Sequence, residues 1–97
     1  MGLFGFGKNY TKEDLQREIN SLASLFRQAT GLDASTKSRA QLKQELTKQL
    51  NTVLNICKKG NFAGWETVEW NPGPSKSGNY TTLRNVTPMV EIFLKMI

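Results

Sequence analysis

The sequence predicts an α+β fold whose elements follow the order helix, helix, strand, strand, helix. Two amphipathic helical patterns occupy residues 11–60, and residues 64–86 have a β-favouring composition that a Pro/Gly/Ser-rich stretch interrupts. The closing stretch, 87–97, is almost entirely apolar and is typical of a third helix. We therefore expect a two-helix antiparallel hairpin, a two-stranded antiparallel β-hairpin and a largely buried C-terminal helix.

The first helix is predicted to begin after Thr11, whose hydroxyl can cap the amide of Asp14. Gly31 supplies the residue type that most often ends a helix. Between these two signals the apolar residues recur at steps of three and four, which places them on one side of a helix. They are Leu15, Ile19, Leu22, Phe26 and Ala29.

The second helix is predicted to begin after Ser38, with Gln41 completing a capping box, and to end at Gly60. Lys58 and Lys59 precede that glycine, where the helix dipole favours cations. Only a short link separates the two helices, so they should pack antiparallel as a hairpin. The apolar side of the second helix consists of Leu42, Leu46, Leu50, Val53 and Cys57.

Two strands are predicted over 64–70 and 80–86, on either side of the sequence NPGPSKSGN, which cannot continue a strand. In the first strand, Val68 and Trp70 share one face with Glu66. Because both faces mix apolar and charged residues, the pattern leaves open which face meets the helices.

The last helix is predicted to begin at Thr87-Pro88, an N-cap followed by proline at the first helical position. From Pro88 onward only Glu91 and Lys95 are charged. Ten residues make a helix about 15 Å long, half of what a bilayer core needs, so we expect no membrane span. A helix that is apolar nearly all round should be enclosed by the other elements. The alternative is that part of it stays exposed and a second copy or a partner covers it.

A chain of 97 residues has the length of one domain. We expect a flexible, glycine-rich N-terminal segment over 1–10 and a single α+β domain over 11–97. The first residues, MGLFGFGK, lack the charged start and the long apolar run of a signal peptide, and a lone cysteine, Cys57, excludes an intrachain disulfide. A cytoplasmic location is therefore expected.

The composition argues against catalysis. The sequence contains no histidine, which removes the commonest general base and the commonest zinc ligand. Glu66 and Glu69 form the closest pair of carboxylates outside the helices, but residues three apart in a strand point to opposite faces. No glycine-rich phosphate loop is present. We expect a protein that is not an enzyme and uses no cofactor and no metal.

Two functional hypotheses remain. The first is a small protein-interaction module, acting on a partner or as a homodimer, because the closing stretch is strongly apolar. Its candidate contact residues are Trp65, Trp70, Phe93, Met96 and Ile97.

The second hypothesis is a regulatory domain that binds nucleic acid. The formal net charge is +5, and the segment from Lys37 to Lys59 carries six basic residues against Glu45 alone. Lysines mixed with amide side chains suit contacts to phosphates and base edges. Helices followed by a β-hairpin with a basic tip share the general plan of a winged helix, an architectural analogy. The candidate contact residues are Lys48, Lys58, Lys59, Lys76 and Arg84.

Overall fold

The computed structural model describes residues 10–62, 65–73 and 79–97. The element order confirms the predicted α+β arrangement. Of the N-terminal segment predicted to be flexible, residues 1–9 lie outside the described residues. The elements are α1 (Lys12–Thr30), α2 (Arg39–Gly60), β1 (Thr67–Trp70), β2 (Asn79–Thr82) and α3 (Leu83–Met96).

Both ends of α1 follow from local sequence signals. The Thr11 hydroxyl accepts a hydrogen bond from the Asp14 amide at 3.1 Å, and the Asp14 carboxylate accepts one from the Thr11 amide at 2.9 Å. These two bonds satisfy backbone donors that the first turn cannot pair internally. At the other end Gly31 adopts a left-handed φ of 85°, which glycine takes without strain.

The α2 helix begins after Ser38 as predicted, and the Ser38 hydroxyl accepts a hydrogen bond from the Gln41 amide. The predicted capping box is wrong, because the Gln41 side chain donates to the Glu45 carboxylate and forms no hydrogen bond with the Ser38 backbone. Its end differs from the prediction. Gly60 is the last helical residue, and the left-handed position falls on Asn61, with φ 58°. Gly60 instead gives room to Phe62, since a Cβ at residue 60 would lie 2.6 Å from the Phe62 ring. Phe62 thereby folds back onto the core.

The two strands pair antiparallel, with Val68 opposite Thr81 and Glu69 opposite Tyr80. Both are four residues long and therefore shorter than predicted. Val68 and Trp70 are buried, whereas Glu69 is exposed, so the face carrying Val68 and Trp70 meets the helices.

The predicted start of the last helix at Thr87-Pro88 is wrong. The helix begins at Leu83, directly after β2, and Pro88 lies inside it. Leu83, Val86 and Val90 are 0 to 1% exposed and recur with helical spacing, so their burial favours helix from Leu83 onward. Proline at 88 removes one hydrogen bond, the one that its missing N–H would have given to the carbonyl of Arg84.

One core joins the three helices and β1. At its centre the ring of Phe26 on α1 lies 5.8 Å from that of Trp70 on β1 and 5.3 Å from that of Phe93 on α3. Edge-to-face or tilted contacts of this kind stabilise beyond the area they bury. The three rings therefore connect the helical hairpin, the β-hairpin and the last helix.

Side-chain hydrogen bonds fix the β-hairpin against α1. The Gln16 amide donates to the Glu69 carbonyl at 2.8 Å, and its oxygen accepts from the Glu69 amide at 3.0 Å. Gln16 thus takes the place of a neighbouring strand at the free edge of β1. One turn before the end of α1, the Arg27 guanidinium donates to the Asn71 carbonyl and to the carboxylate of Asp33.

Candidate binding surfaces

The predicted enclosure of the last helix holds for one side only, because α3 also exposes a row of apolar side chains on the side turned away from the core. Met89 is 38% exposed, Ile92 60% and Met96 75%. Steps of three and four residues place the three on one side of the helix, which we call the apolar flank of α3. A folded chain gains nothing from leaving such side chains in water, so this flank is a candidate contact surface.

The predicted protein-contact residues fall into three environments. Met96 belongs to the apolar flank, and Phe93 and Ile97 lie half-buried between the flank and the core. Trp70 is 3% exposed and packs inside the core, so it is not part of the surface. Trp65 is 41% exposed and lies before β1. Sequence reasoning missed Met89 and Ile92. A helix projected from Leu83 would have placed Ile92 away from Val86 and Val90 and Met89 at the border of the buried side.

Trp65 and Arg84 were assigned to different surfaces, but they contact each other. The guanidinium carbon of Arg84 lies 5.0 Å from the centre of the Trp65 ring. A cation over an indole face is attracted by the ring quadrupole. This contact joins the segment before β1 to the first turn of α3.

The α2 helix exposes cations that have no carboxylate partner. Among the described residues, most cations elsewhere are paired: Lys12 with Glu66, Arg17 with Asp14 and Arg27 with Asp33. The exposed cations of α2 form no ion pair with any described residue. We call the side of the helix that carries Lys43, Lys48, Lys58 and Lys59 the basic face of α2. Arg39 is also exposed, but eighteen residues before Cys57 it lies at the same angle around the helix as that buried residue, so it is not part of the face.

Amide and hydroxyl side chains fill the space between these cations. The hydroxyls of Thr47 and Thr52 donate back to carbonyls of their own helix, at 2.8 and 3.0 Å. The amides of Gln44, Asn51 and Asn55 form no hydrogen bond within the described part of the protein and point outward. A shallow hollow runs over this stretch of the surface, and it is lined by Lys43, Gln44, Thr47, Lys48, Asn51, Thr52 and Asn55.

Three of the five predicted nucleic-acid residues, Lys48, Lys58 and Lys59, lie on the basic face of α2. Lys76 lies outside the described residues, and Arg84 is on α3 against Trp65. The structure adds Lys43, which the sequence reasoning did not select although it belongs to the predicted helix.

The acidic groups with shifted pKa values lie in helix caps and ion pairs. The backbone amide of Thr11 and the side chain of Arg17 lower the pKa of Asp14. Lys37 and then Gln41 lower the pKa of Glu45 by hydrogen bonding to its carboxylate. Burial raises the pKa of the Cys57 thiol, and the negative charge of Glu66 adds to that effect. A raised pKa reduces the thiolate fraction on which cysteine reactivity depends.

Within residues 10–62, 65–73 and 79–97, no three His, Cys, Asp or Glu side chains are grouped so that they could hold a metal ion. In the same ranges no helix has the length and apolar character needed to cross a membrane. Comparison of the whole chain with protein families, with curated proteins and with solved structures finds no match. The candidate surfaces therefore stand on the geometry alone.

Proposed function

We propose that this protein is a non-catalytic protein-interaction module that pairs with a second copy of itself through the apolar flank of α3. The observation that carries the proposal is the exposure of Ile92 and Met96, at 60% and 75%, next to a core in which Leu83 and Val90 are fully buried. An apolar row beside a complete core supports a surface that is covered by another molecule.

The arrangement of the flank suits a second copy. Met89 lies three residues before Ile92, and Met96 lies four residues after it. If two α3 helices pack antiparallel about a two-fold axis at Ile92, each Ile92 meets its equivalent and each Met89 meets Met96 of the other copy. Such a self-complementary contact is what a two-fold symmetric dimer requires. Methionine side chains are flexible enough to fill the small gaps that an imperfect match leaves.

The size of the flank sets the expected strength of pairing. Standard interfaces use about 20–30 residues a side, and three exposed apolar side chains with their half-buried neighbours are far fewer. We therefore expect a reversible dimer that dissociates on dilution.

Sedimentation velocity over about 5 to 500 μM protein tests this proposal. The wild type should shift from monomer to dimer across that range, because mass action favours association at high concentration. Ile92→Glu should remain monomeric, since a charge at the centre of the contact would be buried without a partner. The matched control is Asn51→Glu, which introduces the same charge at an exposed position of α2 and should leave the dimer intact. A wild type that stays monomeric throughout overturns the proposal, as does a dimer that Ile92→Glu leaves unchanged.

We also propose that the protein acts in the cytoplasm. The support is that Cys57 is the one cysteine of the chain and is buried, so the fold does not depend on an oxidising compartment. Cell fractionation with an antibody against the protein should recover it with cytosolic markers. Recovery from the culture medium or from a membrane-enclosed oxidising compartment contradicts this location.

A further inference from the structure

We infer that α2 docks in the major groove of duplex DNA through its basic face, independently of the pairing proposed for α3. The charge of this face, the order of its side chains around the helix and its lack of aromatic and exposed apolar residues favour this partner.

The first step is charge. The four lysines of the basic face form no ion pair with a carboxylate among the described residues. Lys48 acts on Glu45 only through space, as the weakest of the influences that lower the pKa of that carboxylate. Glu45, the acid of this helix, is instead held at its border by Lys37 and Gln41. From Lys43 to Lys59 the helix rises about 24 Å at 1.5 Å per residue. The basic face is therefore a long positive surface without ion pairs, and it complements a polyanion.

The second step is the arrangement of side chains around the helix. With about 100° between successive residues, Gln44, Asn51 and Asn55 fall on one line along the middle of the exposed side. Lys48 and Lys59 lie about 40° to 60° to one side of that line. On the other side, Lys58 lies about 40° and Lys43 about 100° from it. The basic face thus presents a row of amides between two rows of ammonium groups.

This arrangement matches the walls and the floor of a major groove. An α-helix with its side chains is about 10–12 Å across, and the major groove of B-DNA is about 12 Å wide. A helix seated there turns its middle row to the base edges and its two edges to the phosphates on either side. Asn and Gln can pair with the N6 and N7 atoms of adenine, and lysine contacts phosphate.

Other polyanions fit less well. A helix on an anionic membrane needs apolar residues toward the lipid, but the apolar residues of α2, such as Leu46 and Leu50, are buried in the core. Single strands are held mainly by stacking on aromatic rings, and the basic face has no aromatic residue. The major groove of duplex RNA is too narrow and deep for side chains to read.

The test is fluorescence anisotropy with labelled 20-base-pair DNA duplexes, the corresponding single strand and an RNA duplex, at several salt concentrations between about 50 and 200 mM. We expect duplex DNA to bind most tightly. Four lysines on phosphates predict a slope of log K against log salt of about −3 to −4. Removing two of them in Lys48→Ala/Lys59→Ala should bring that slope closer to zero by about 2 and weaken binding at least about tenfold at the lowest salt.

The matched control is Lys12→Ala/Lys95→Ala, which removes the same charge from exposed positions on α1 and α3. It should leave the slope unchanged, and circular dichroism should show that both double variants keep the wild-type melting temperature. Equal losses in the two double variants would mean that only net charge matters, which overturns the inference. So does an absence of binding at low salt, tighter binding to the single strand or to RNA, or preference for vesicles of anionic lipid.

The amide row is tested by its effect on sequence preference. Wild type should discriminate between A·T-rich and G·C-rich duplexes of equal length, because amides pair with adenine edges. Asn51→Ala/Asn55→Ala should reduce the difference in affinity between the two duplexes and leave the slope of log K against log salt unchanged. Equal affinity of the wild type for both duplexes overturns groove reading. Ile92→Glu should retain DNA binding, and Lys48→Ala/Lys59→Ala should still dimerise, so failure of one proposal is separable from failure of the other.

Discussion

The α2 and α3 helices bury one side each in the same core but expose opposite chemistries. Leu46 and Val53 of α2 and Val90 of α3 are all 0% exposed. On the outer side, α2 carries ammonium and amide groups, whereas α3 carries the apolar flank centred on Ile92. Packing against the core is satisfied by one side of a helix, so it does not determine what the other side carries. The outer sides of the two helices are therefore the places where function, rather than folding, is expected to have determined the residues.

The largest expected effect on stability distinguishes the buried side of α2 from its exposed side. Leu46→Ala should lower the free energy of unfolding by about 3 kcal/mol, because it removes apolar contacts and leaves a cavity. Lys48→Ala, two residues away on the basic face, should change it by less than about 0.5 kcal/mol. Urea unfolding followed by circular dichroism measures both. A comparable loss in Lys48→Ala would show that the basic face contributes to the fold and weaken its assignment to binding.

In α3 we also expect a substitution on the buried side to cost more stability than one on the exposed side, by a smaller margin than in α2. Val90→Ala removes two buried methyl groups, and about 0.8 kcal/mol per group plus a cavity term gives a loss of about 2 kcal/mol. Ile92→Ala, measured at a concentration where the protein is monomeric, should cost less than about 0.5 kcal/mol. Thermal unfolding at two protein concentrations checks both values. If Ile92→Ala were as destabilising as Val90→Ala in the monomer, the apolar flank would be part of the core.

A third effect tests how differently the two helices are attached. The α2 helix packs directly along α1, whereas α3 packs on α2 and also follows the β-hairpin that Gln16 holds through the backbone of Glu69. Gln16→Ala removes both hydrogen bonds and should cost about 1–2 kcal/mol. Hydrogen exchange should speed up in β1, β2 and α3 but not in α2.

The matched control for this experiment is Asn20→Ala, because the Asn20 side chain accepts from Gln16 without touching β1. It should leave exchange in the β-hairpin and α3 at the wild-type rate. Uniform acceleration over all three helices in Gln16→Ala would contradict separate attachment.

The smallest expected effect is a loss of stability at low pH. The pKa values of Asp14 and Glu45 are lowered in the folded protein, so each carboxylate stabilises the fold above its unfolded pKa, and this contribution is lost as the pH falls through the lower, folded value. We expect a shallow loss of stability below about pH 4, weakened by solvent exposure. Glu45→Gln should flatten the dependence of the melting temperature on pH in this range. A steeper dependence in Glu45→Gln would contradict the assigned sign.

The two long helices were predictable because their signals are local. The caps at Thr11 and Ser38 and the left-handed Gly31 act through hydrogen bonds and dihedral preferences within a few residues, and the apolar spacing then fixes the buried side. The same helical periodicity places Lys48, Lys58 and Lys59 on the exposed side of α2, so these three residues of the basic face could be predicted from the sequence. Lys43 was missed because its position around the helix borders the apolar stripe, and only the structure shows that its side chain is exposed.

In the last third of the chain, the start of α3 and the burial of side chains depend on tertiary contacts. Thr87-Pro88 is a good local start for a helix, but it lies inside α3, because burying Leu83, Val86 and Val90 outweighs the single hydrogen bond that proline removes. The burial of Trp70 likewise depends on Phe26, which is distant in sequence.

By itself, then, the sequence determined the order of the elements, both ends of α1, the start of α2 and the positive charge of α2. Tertiary structure alone decided which face of the β-hairpin is buried, where α3 begins and which of its apolar side chains stay in water. The physical reason is the separation in sequence over which the interactions act. Caps and periodicity act between residues a few positions apart, whereas burial is determined only when distant segments pack into the same core.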